Sequence, residues 1–218
     1  MRNRLRQLRD IGLRGVAKSV YCSFRHTGSL SSLVVTSQVI TEISPHTTFD
    51  LRGRLTIGTG RRGASHPRIA RSKFSTSAGA SVVHSGEDLG IVGPGSVVHI
   101  EGEFSIGDSY INSHARILCG DEITIGNGVA IAWDVEILDD DRHNFSVNGV
   151  PAQRTAPITI EDNVWVGHSV SIKKGVTIRE GSVVASNSVV ASDVPANTLV
   201  AGTPAEVIKE DVSWGGEN

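Results

Sequence analysis

The sequence is poor in aromatic residues and contains no long apolar run. Aromatic side chains make up 5% of the 218 residues, whereas glycine occurs 24 times. This composition suits thin layers of aliphatic side chains better than a core built around large rings. No apolar run reaches the length of a membrane span, and the amino terminus lacks the apolar core of a signal peptide. We therefore expect a cytoplasmic protein.

Cysteine is also scarce, which excludes a disulfide scaffold. Cys22 and Cys119 lie far apart and match neither a metal-binding nor a redox spacing. We expect both to be reduced thiols, buried or half-buried, in a reducing compartment.

The net charge of −2 hides a strong asymmetry. Residues 1–73 hold 14 of the 21 Lys and Arg residues and only three acids, a balance of +11, so the remaining residues carry −13. Such segregation predicts an anionic partner for the basic part: the inner membrane surface, an acidic polysaccharide precursor, or the acidic half of a neighbouring subunit. No recognition motif accompanies the charge, so nucleic acid is not expected.

A period of six residues runs from Ile158 to Pro195. Turn formers such as Asp162-Asn163 and Lys174-Gly175 separate the repeats. This period fits neither a helix nor a simple alternating strand, and it predicts a parallel β-helix of short strands joined by tight turns. The aliphatic residues that define it are Ile160, Val166, Ile172, Ile178, Val184 and Val190.

Similar pairs of apolar residues extend this pattern over residues 97–195, with one extra residue near Tyr110 and one longer interruption. Residues 139–157 contain no such pairs, and loops of this kind project from one face of a solenoid, often the binding face. Residues 31–96 predict irregular early coils, broken by an Arg- and Gly-rich insertion at 58–74.

Both ends of the chain predict helices. Residues 1–30 form a basic helical segment, and a cap on the open end of the solenoid is the leading interpretation, ahead of a helix on a membrane surface. Within residues 196–218, the capping box Thr203-Pro204-Ala205-Glu206 predicts a short helix, followed by a frayed tail.

The run VWVGHSVSIKKGVTIREGSVVASNSVVASDVPANTLVAGTPAEVIK resembles the hexapeptide-repeat acyltransferases. It is most similar to the branch of sugar and polysaccharide O-acetyltransferases, which includes the galactoside and maltose acetyltransferases. The resemblance implies an all-β fold, a left-handed parallel β-helix, assembled as a homotrimer with active sites between subunits. It also implies acetyl-coenzyme A as the acyl donor. Handedness is implied by the resemblance alone.

Residues 139–143 carry the candidate catalytic group. They read Asp-Asp-Asp-Arg-His and follow Trp133-Asp134, a motif similar in form to that of the polysaccharide acetyltransferases. Acyl transfer to a hydroxyl needs a base near neutrality, which histidine supplies. The resemblance implies that His143 is this base, with Asp139 or Asp141 orienting its ring. The alternative is that His143 is one polar residue in an acidic loop.

For the donor, the resemblance implicates six residues. Lys209 stands where relatives often have Arg, and His168 where a small residue is common, so both depart from the family pattern. Trp165 fits a packed aromatic at the edge of a coil equally well. The six candidates are Trp165, His168, Ala185, Ser186, Ala191 and Lys209.

These patterns predict an O-acetyltransferase that acts on a sugar hydroxyl in the synthesis of cell-surface polysaccharide. An N-acyltransferase of an amino sugar and a non-catalytic trimeric scaffold stay open as alternatives. Residues 139–143 could hold a divalent cation, but the histidines are too widely spaced for a zinc site, and we expect no metal.

Overall fold

The computed structural model describes residues 2–59 and 71–215, and only the backbone of residues 2–12. Most of the Arg- and Gly-rich insertion lies outside these residues. In the described chain, one helix, α1 (Arg2–Thr27), precedes a series of short strands. In chain order the strands are β1 (Leu33–Val35), β2 (Val39–Glu42), β3 (Thr48–Leu51), β4 (Arg54–Ile57), β5 (Ser72–Thr76), β6 (Ser81–His84), β7 (Leu89–Val92), β8 (Val97–Ile100), β9 (Glu103–Ile106), β10 (Tyr110–Ile111), β11 (Arg116–Cys119), β12 (Glu122–Ile125), β13 (Ala130–Ile131), β14 (Glu136–Leu138), β15 (Ser146–Val147), β16 (Val150–Pro151), β17 (Ile158–Ile160), β18 (Trp165–Val166), β19 (Ser171–Lys173), β20 (Thr177–Ile178), β21 (Val183–Val184), β22 (Val189–Val190), β23 (Leu199–Gly202) and β24 (Ala205–Lys209).

Successive strands enter three sheets in turn. The first sheet has the order β1-β4-β7-β10-β13-β18-β21-β23-β24, the second β2-β5-β8-β11-β14-β19-β22, and the third β3-β6-β9-β12-β17-β20. Apart from β24, the paired strands in these sheets run parallel. Each coil therefore places one strand on each of three faces, which confirms the predicted parallel β-helix. The early strands β1–β7 follow the same order as the later ones.

The predicted series of inward-facing aliphatic residues forms the core. Trp165 pairs with Val183, so one coil takes 18 residues, or three hexapeptides. From Ile160 to Val190, all six predicted positions are at most 1% exposed. β-Branched side chains suit these positions because each packs on its counterpart in the next coil of a pleated surface.

One corner of the coil is shaped by residues with positive φ. It joins the first sheet to the second, and its backbone N–H groups bond to carbonyls of the preceding coil, as Ser169 N does to Trp133 O at 3.1 Å and Asn187 N to His168 O at 3.0 Å. Asn and Asp tolerate this left-handed conformation better than most residues. The non-glycine residues that adopt it at this corner are His114, Asp134, Ser169 and Asn187.

The predicted amino-terminal helix is confirmed, and it covers the edge of the first strand. Ser19 Oγ donates to Val35 O at 2.8 Å and accepts from Val35 N at 3.0 Å. Ser23 Oγ accepts from Leu33 N at 3.1 Å. These hydroxyls satisfy backbone groups that a further strand would otherwise bind. No helix in the described part of the chain is long and apolar enough to cross a membrane.

The predicted carboxyl-terminal helix is wrong, because residues 205–209 form β24 instead. This strand runs antiparallel to β23, with Val200 opposite Val207. The outer edge of β23 offers unpaired backbone groups, and the β-branched pair Val207-Ile208 suits a strand that satisfies them. The capping box was a local preference that the sheet edge overrode. The tail also returns to the coils, since Trp214 Nε1 donates to Asn163 O.

We predict that shortening one interior side chain costs much of the stability. Ile172 in β19 is fully buried, so Ile172→Ala should lower the free energy of unfolding by about 2–5 kcal/mol. Ile40 in β2 is 44% exposed, so Ile40→Ala should cost under about 1 kcal/mol. Urea denaturation of both variants measures the difference, and equal losses would contradict the assignment of the core.

Candidate active site

The coil is interrupted between β14 and β17 by a loop that emerges where the second sheet ends. Its stem is two antiparallel segments, in which Asp141 N donates to Arg154 O at 3.1 Å and Ala156 N to Asp139 O at 3.0 Å. Beyond the stem, β15 and β16 pair as a small hairpin. The loop is therefore held by its own backbone hydrogen bonds.

The hairpin turn was missed at the sequence level, although its signal is visible. Asn148 and Gly149 both have positive φ, 52° and 80°, as a type I′ turn requires. An Asn-Gly pair flanked by Val147 and Val150 is the strongest short-range hairpin signal. The sequence predicts a projecting loop here, and the structure adds the hairpin.

Asp139 points into the coil rather than toward His143. Its side chain is fully buried, and its two oxygens accept from Gly120 N at 2.6 Å and Asp121 N at 2.9 Å. Burial raises the pKa of Asp139 above its ordinary value, although these N–H groups act in the opposite direction. The carboxyl group thus holds the turn of the preceding coil.

Asp140, the middle carboxylate of the candidate run, shapes the turn that leads to His143. Its buried side chain accepts from Arg142 N at 2.7 Å and lies 3.1 Å from Arg154 Nε. Arg142 takes a positive φ of 63° in this turn. The buried carboxylate therefore fixes the backbone at Arg142 and ties the side chain of Arg154, on the other side of the stem, to the same turn.

A polar chain ties the same turn to earlier coils. Arg142 Nη1 donates to Glu101 Oε1 at 2.9 Å, and His99 joins Glu101 at 3.0 Å and Ser75 at 2.9 Å. Burial raises the pKa of Glu101, but the hydrogen bonds from Arg142 and His99 outweigh it, and the net shift is downward. Glu101 is therefore held ionised against Arg142.

His143 itself is exposed at the end of this fixed turn. No hydrogen bond or ion pair reaches its ring within residues 2–59 and 71–215, so neither predicted orienting carboxylate contacts it. Asp139 binds backbone, and Asp141 binds the ammonium group of Lys174, which also lies 5.6 Å from the centre of the Phe145 ring. The structure thus leaves the ring of His143 exposed and without a protein partner in the part of the chain that it describes.

Most of the predicted donor residues lie on one side of the molecule. At the corner that joins the first sheet to the second, the Trp133 ring stacks on the His168 ring with centroids 5.5 Å apart. Ser186 follows at this corner in the next coil, beside Ala185. In the first sheet, Trp165 is half exposed and packs near Trp214, at 6.1 Å. Lys209 ends β24 of the same sheet. The two aromatic partners, Trp133 and Trp214, are not among the six donor candidates named from the sequence.

Ala191 stands apart from the other donor candidates. It follows β22 at the end of the second sheet from which the loop emerges, whereas Ala185 and Ser186 precede that sheet. The structure therefore does not bring the donor candidates together around His143 within one chain. In the described residues, no group of three or more His, Cys, Asp or Glu side chains is placed to hold a metal ion.

These features define a class of protein. It is a parallel β-helix built from hexapeptide repeats, with an exposed histidine on an extruded loop. The family model for bacterial transferase hexapeptide repeats (six repeats) matches residues 157–192. Nodulation protein L of Rhizobium meliloti is 41% identical over 134 residues, covering 56% of this chain and 70% of that protein. The chain belongs to the bacterial transferase hexapeptide family.

Other comparisons agree with this assignment. Galactoside O-acetyltransferase of Escherichia coli is 38% identical over 119 residues, covering 53% of this chain. The chain spans only 55% of the length of that enzyme. The crystal structure of a mutant of AntD, an N-acyltransferase from Bacillus cereus, superimposes with a TM-score of 0.52 at 16% identity, covering 82% of this chain and 80% of that one. This likeness concerns the fold.

We predict that Glu101→Gln destabilises the protein in a pH-dependent way. The pKa of Glu101 is lower in the folded chain than its ordinary value of 4.5, so its contribution is complete above that value and is lost as the pH falls through the folded pKa. The stability gap between native protein and variant should therefore be full near about pH 7 and shrink below about pH 4. Urea denaturation at both pH values measures the gap.

The control is Glu103→Gln, which removes an exposed carboxylate two positions along the chain. We expect this variant to match the native protein at both pH values. A gap for Glu101→Gln that does not change with pH would contradict the charge-assisted contact with Arg142.

Proposed function

We propose that the chain is an O-acetyltransferase that moves an acetyl group from acetyl-coenzyme A to a sugar hydroxyl, with His143 as general base. Family membership and the similarity to a galactoside O-acetyltransferase support this activity. The observation that carries the proposal is the exposed imidazole of His143 on a turn pinned by Asp140 and Arg142. A general base needs a rigid mount and a free nitrogen, and this turn supplies both.

The proposed reaction needs one proton to be moved twice. His143 removes the proton from the acceptor hydroxyl while the oxygen bonds to the thioester carbonyl carbon. The carbon–sulfur bond then breaks, and His143 returns the proton to the departing thiolate, so that an acetyl ester and free coenzyme A result. Asp140 and Arg142 act through the backbone, since they hold the turn that carries the imidazole.

The donor substrate suits the exposed groups of the first sheet and its corner. Trp165 and the stacked pair Trp133–His168 offer flat surfaces for a nucleotide base, and the Lys209 ammonium group is a point charge for phosphate. Ala185 and Ser186 leave room for the slender arm of the donor beside the coil. Ala191 would meet it near the loop.

The donor candidates of the first sheet and its corner do not gather around His143 within one chain, and this separation supports a trimer. In the proposed left-handed coil, the loop of one subunit and the first sheet of its neighbour would face each other across a groove between the two copies. Each site would then take His143 from one chain and Trp165 from another. We further propose a polysaccharide or its precursor as the acceptor, because Trp133-Asp134 and residues 139–143 resemble the motif of that branch.

The proposed place of action is the cytoplasm, including the inner face of its membrane. The free thiols of Cys22 and Cys119 are consistent with a reducing compartment.

We predict that His143→Gln lowers kcat by roughly a hundredfold or more while leaving coenzyme A binding unchanged, because only proton transfer is lost. Thiol release from acetyl-coenzyme A across a panel of sugar acceptors measures the rate, and calorimetry measures binding. His46→Gln, at an exposed turn of an early coil, is the matched control and should keep full activity.

Other results would redirect the proposal. Full activity in His143→Gln would remove His143 as the base. Turnover with amino sugars alone would make the protein an N-acyltransferase, and no binding of coenzyme A would make it a scaffold.

We predict that Lys209→Ala weakens coenzyme A binding by about fivefold without changing kcat, since one charge–phosphate contact is lost. Lys73→Ala, at a half-exposed lysine of the second sheet that pairs with Glu42, is the control and should bind as the native protein does. Equal binding by both variants would exclude Lys209 from the donor site.

A further inference from the structure

The helix α1 turns an apolar face away from the coils. Over residues 13–27, the exposed side chains fall on one arc of the helix, with Leu13 91% exposed and Tyr21 and Phe24 each 62% exposed. Large apolar side chains exposed side by side mark an interaction surface. We call this the outward face, and its members are Leu13, Arg14, Ala17, Val20, Tyr21, Phe24 and Arg25.

The opposite face of α1 is already occupied. Gly15, Ser19, Cys22 and Ser23 are buried against the first coil, and both serines bond to the backbone of β1. The His26 ring also packs against the Phe49 ring in β3, with ring centroids 5.7 Å apart. Because packing on the coils uses small and polar side chains, the large apolar ones are not needed for it. The outward face is therefore available to a partner.

Charge indicates what kind of partner fits. Residues 1–27 contain six arginines and one lysine against a single acid, Asp10. On the outward face, Arg14 and Arg25 stand at one border, and Arg25 lies 6.0 Å from the centre of the Tyr21 ring, also at that border. An apolar strip bordered by tyrosine and arginine is the pattern of a helix that lies in the interface of an anionic membrane.

We infer that α1 binds the protein to an anionic lipid surface through the outward face. Leu13, Val20 and Phe24 enter the boundary between headgroups and acyl chains, while Arg14 and Arg25 contact lipid phosphates. Docking this face against the same face of a second copy would bring two strongly basic segments together, which their charge opposes. The inference goes beyond the proposed acetyl transfer and does not depend on it.

The test is sedimentation of the full chain with vesicles, read by protein recovery and not by activity. We expect binding to vesicles of phosphatidylcholine and phosphatidylglycerol in equal amounts, little binding to phosphatidylcholine alone, and weaker binding as salt rises. The double variant Leu13→Ser/Phe24→Ser should weaken binding by roughly tenfold or more. Arg14→Gln/Arg25→Gln should weaken it by about fivefold for each arginine.

The matched control is Ile40→Ser/Val97→Ser, which removes two apolar side chains that are each 44% exposed on the second sheet. It should bind vesicles as the native protein does, and urea midpoints should show that all variants are folded. Binding that is equal on both vesicle types, absent from both, or unchanged in Leu13→Ser/Phe24→Ser would overturn the inference. So would a fall in oligomer mass in that variant by light scattering, which would make the face an interface between copies.

Discussion

Stacking of aliphatic side chains along the inside of the coil is the constraint on which the rest of the structure depends. Each inward residue packs on its counterpart one coil away, as Ile131 does on Val166 and Ile172 on Val190. The interior is narrow, so its width must stay nearly constant from coil to coil. Phe74 and Phe104 are fully buried there, and both face smaller aliphatic partners in the next coil, Val98 and Ile123.

A core of this kind leaves chemistry to the parts of the chain that depart from the repeat. The corners supply Trp133 and His168, and the extruded loop supplies His143. The loop is not left free, because Asp139 and Asp140 are buried at its base and Arg142 reaches Glu101 on an earlier coil. The buried carboxyl groups thus hold the base of the loop, and the imidazole of His143 is left exposed.

The repeat could be predicted from the sequence because its information is local and periodic. The inward positions, the amino-terminal helix and the interruption before Ile158 could all be seen in the printed residues. The carboxyl-terminal strand could not be predicted in this way. The capping box is a local signal, whereas β24 forms because it pairs with the open edge of β23, and that edge exists only once the coils are stacked.

The polar chain around the candidate base could not be predicted from the sequence, for a different reason. Ser75, His99 and Glu101 are far from Arg142 along the chain, and only the winding of the coils brings them into line. The stacking of Trp133 on His168 likewise joins residues from successive coils. Sequence spacing alone does not show which residues on successive coils line up, because the long loop lies between some of them.

The coil count has a consequence for the reach of the protein. Along the second sheet, four inter-strand steps separate β2, beside the amino-terminal helix, from β14, where the loop begins. At about 4.8 Å a step, the loop stands about 19 Å from the capped end. That height can change only by whole coils, since a partial coil would break the interior stacking. The stacking therefore fixes the distance of the loop from the capped end in steps of one coil, and gain or loss of one coil would move His143 by one such step.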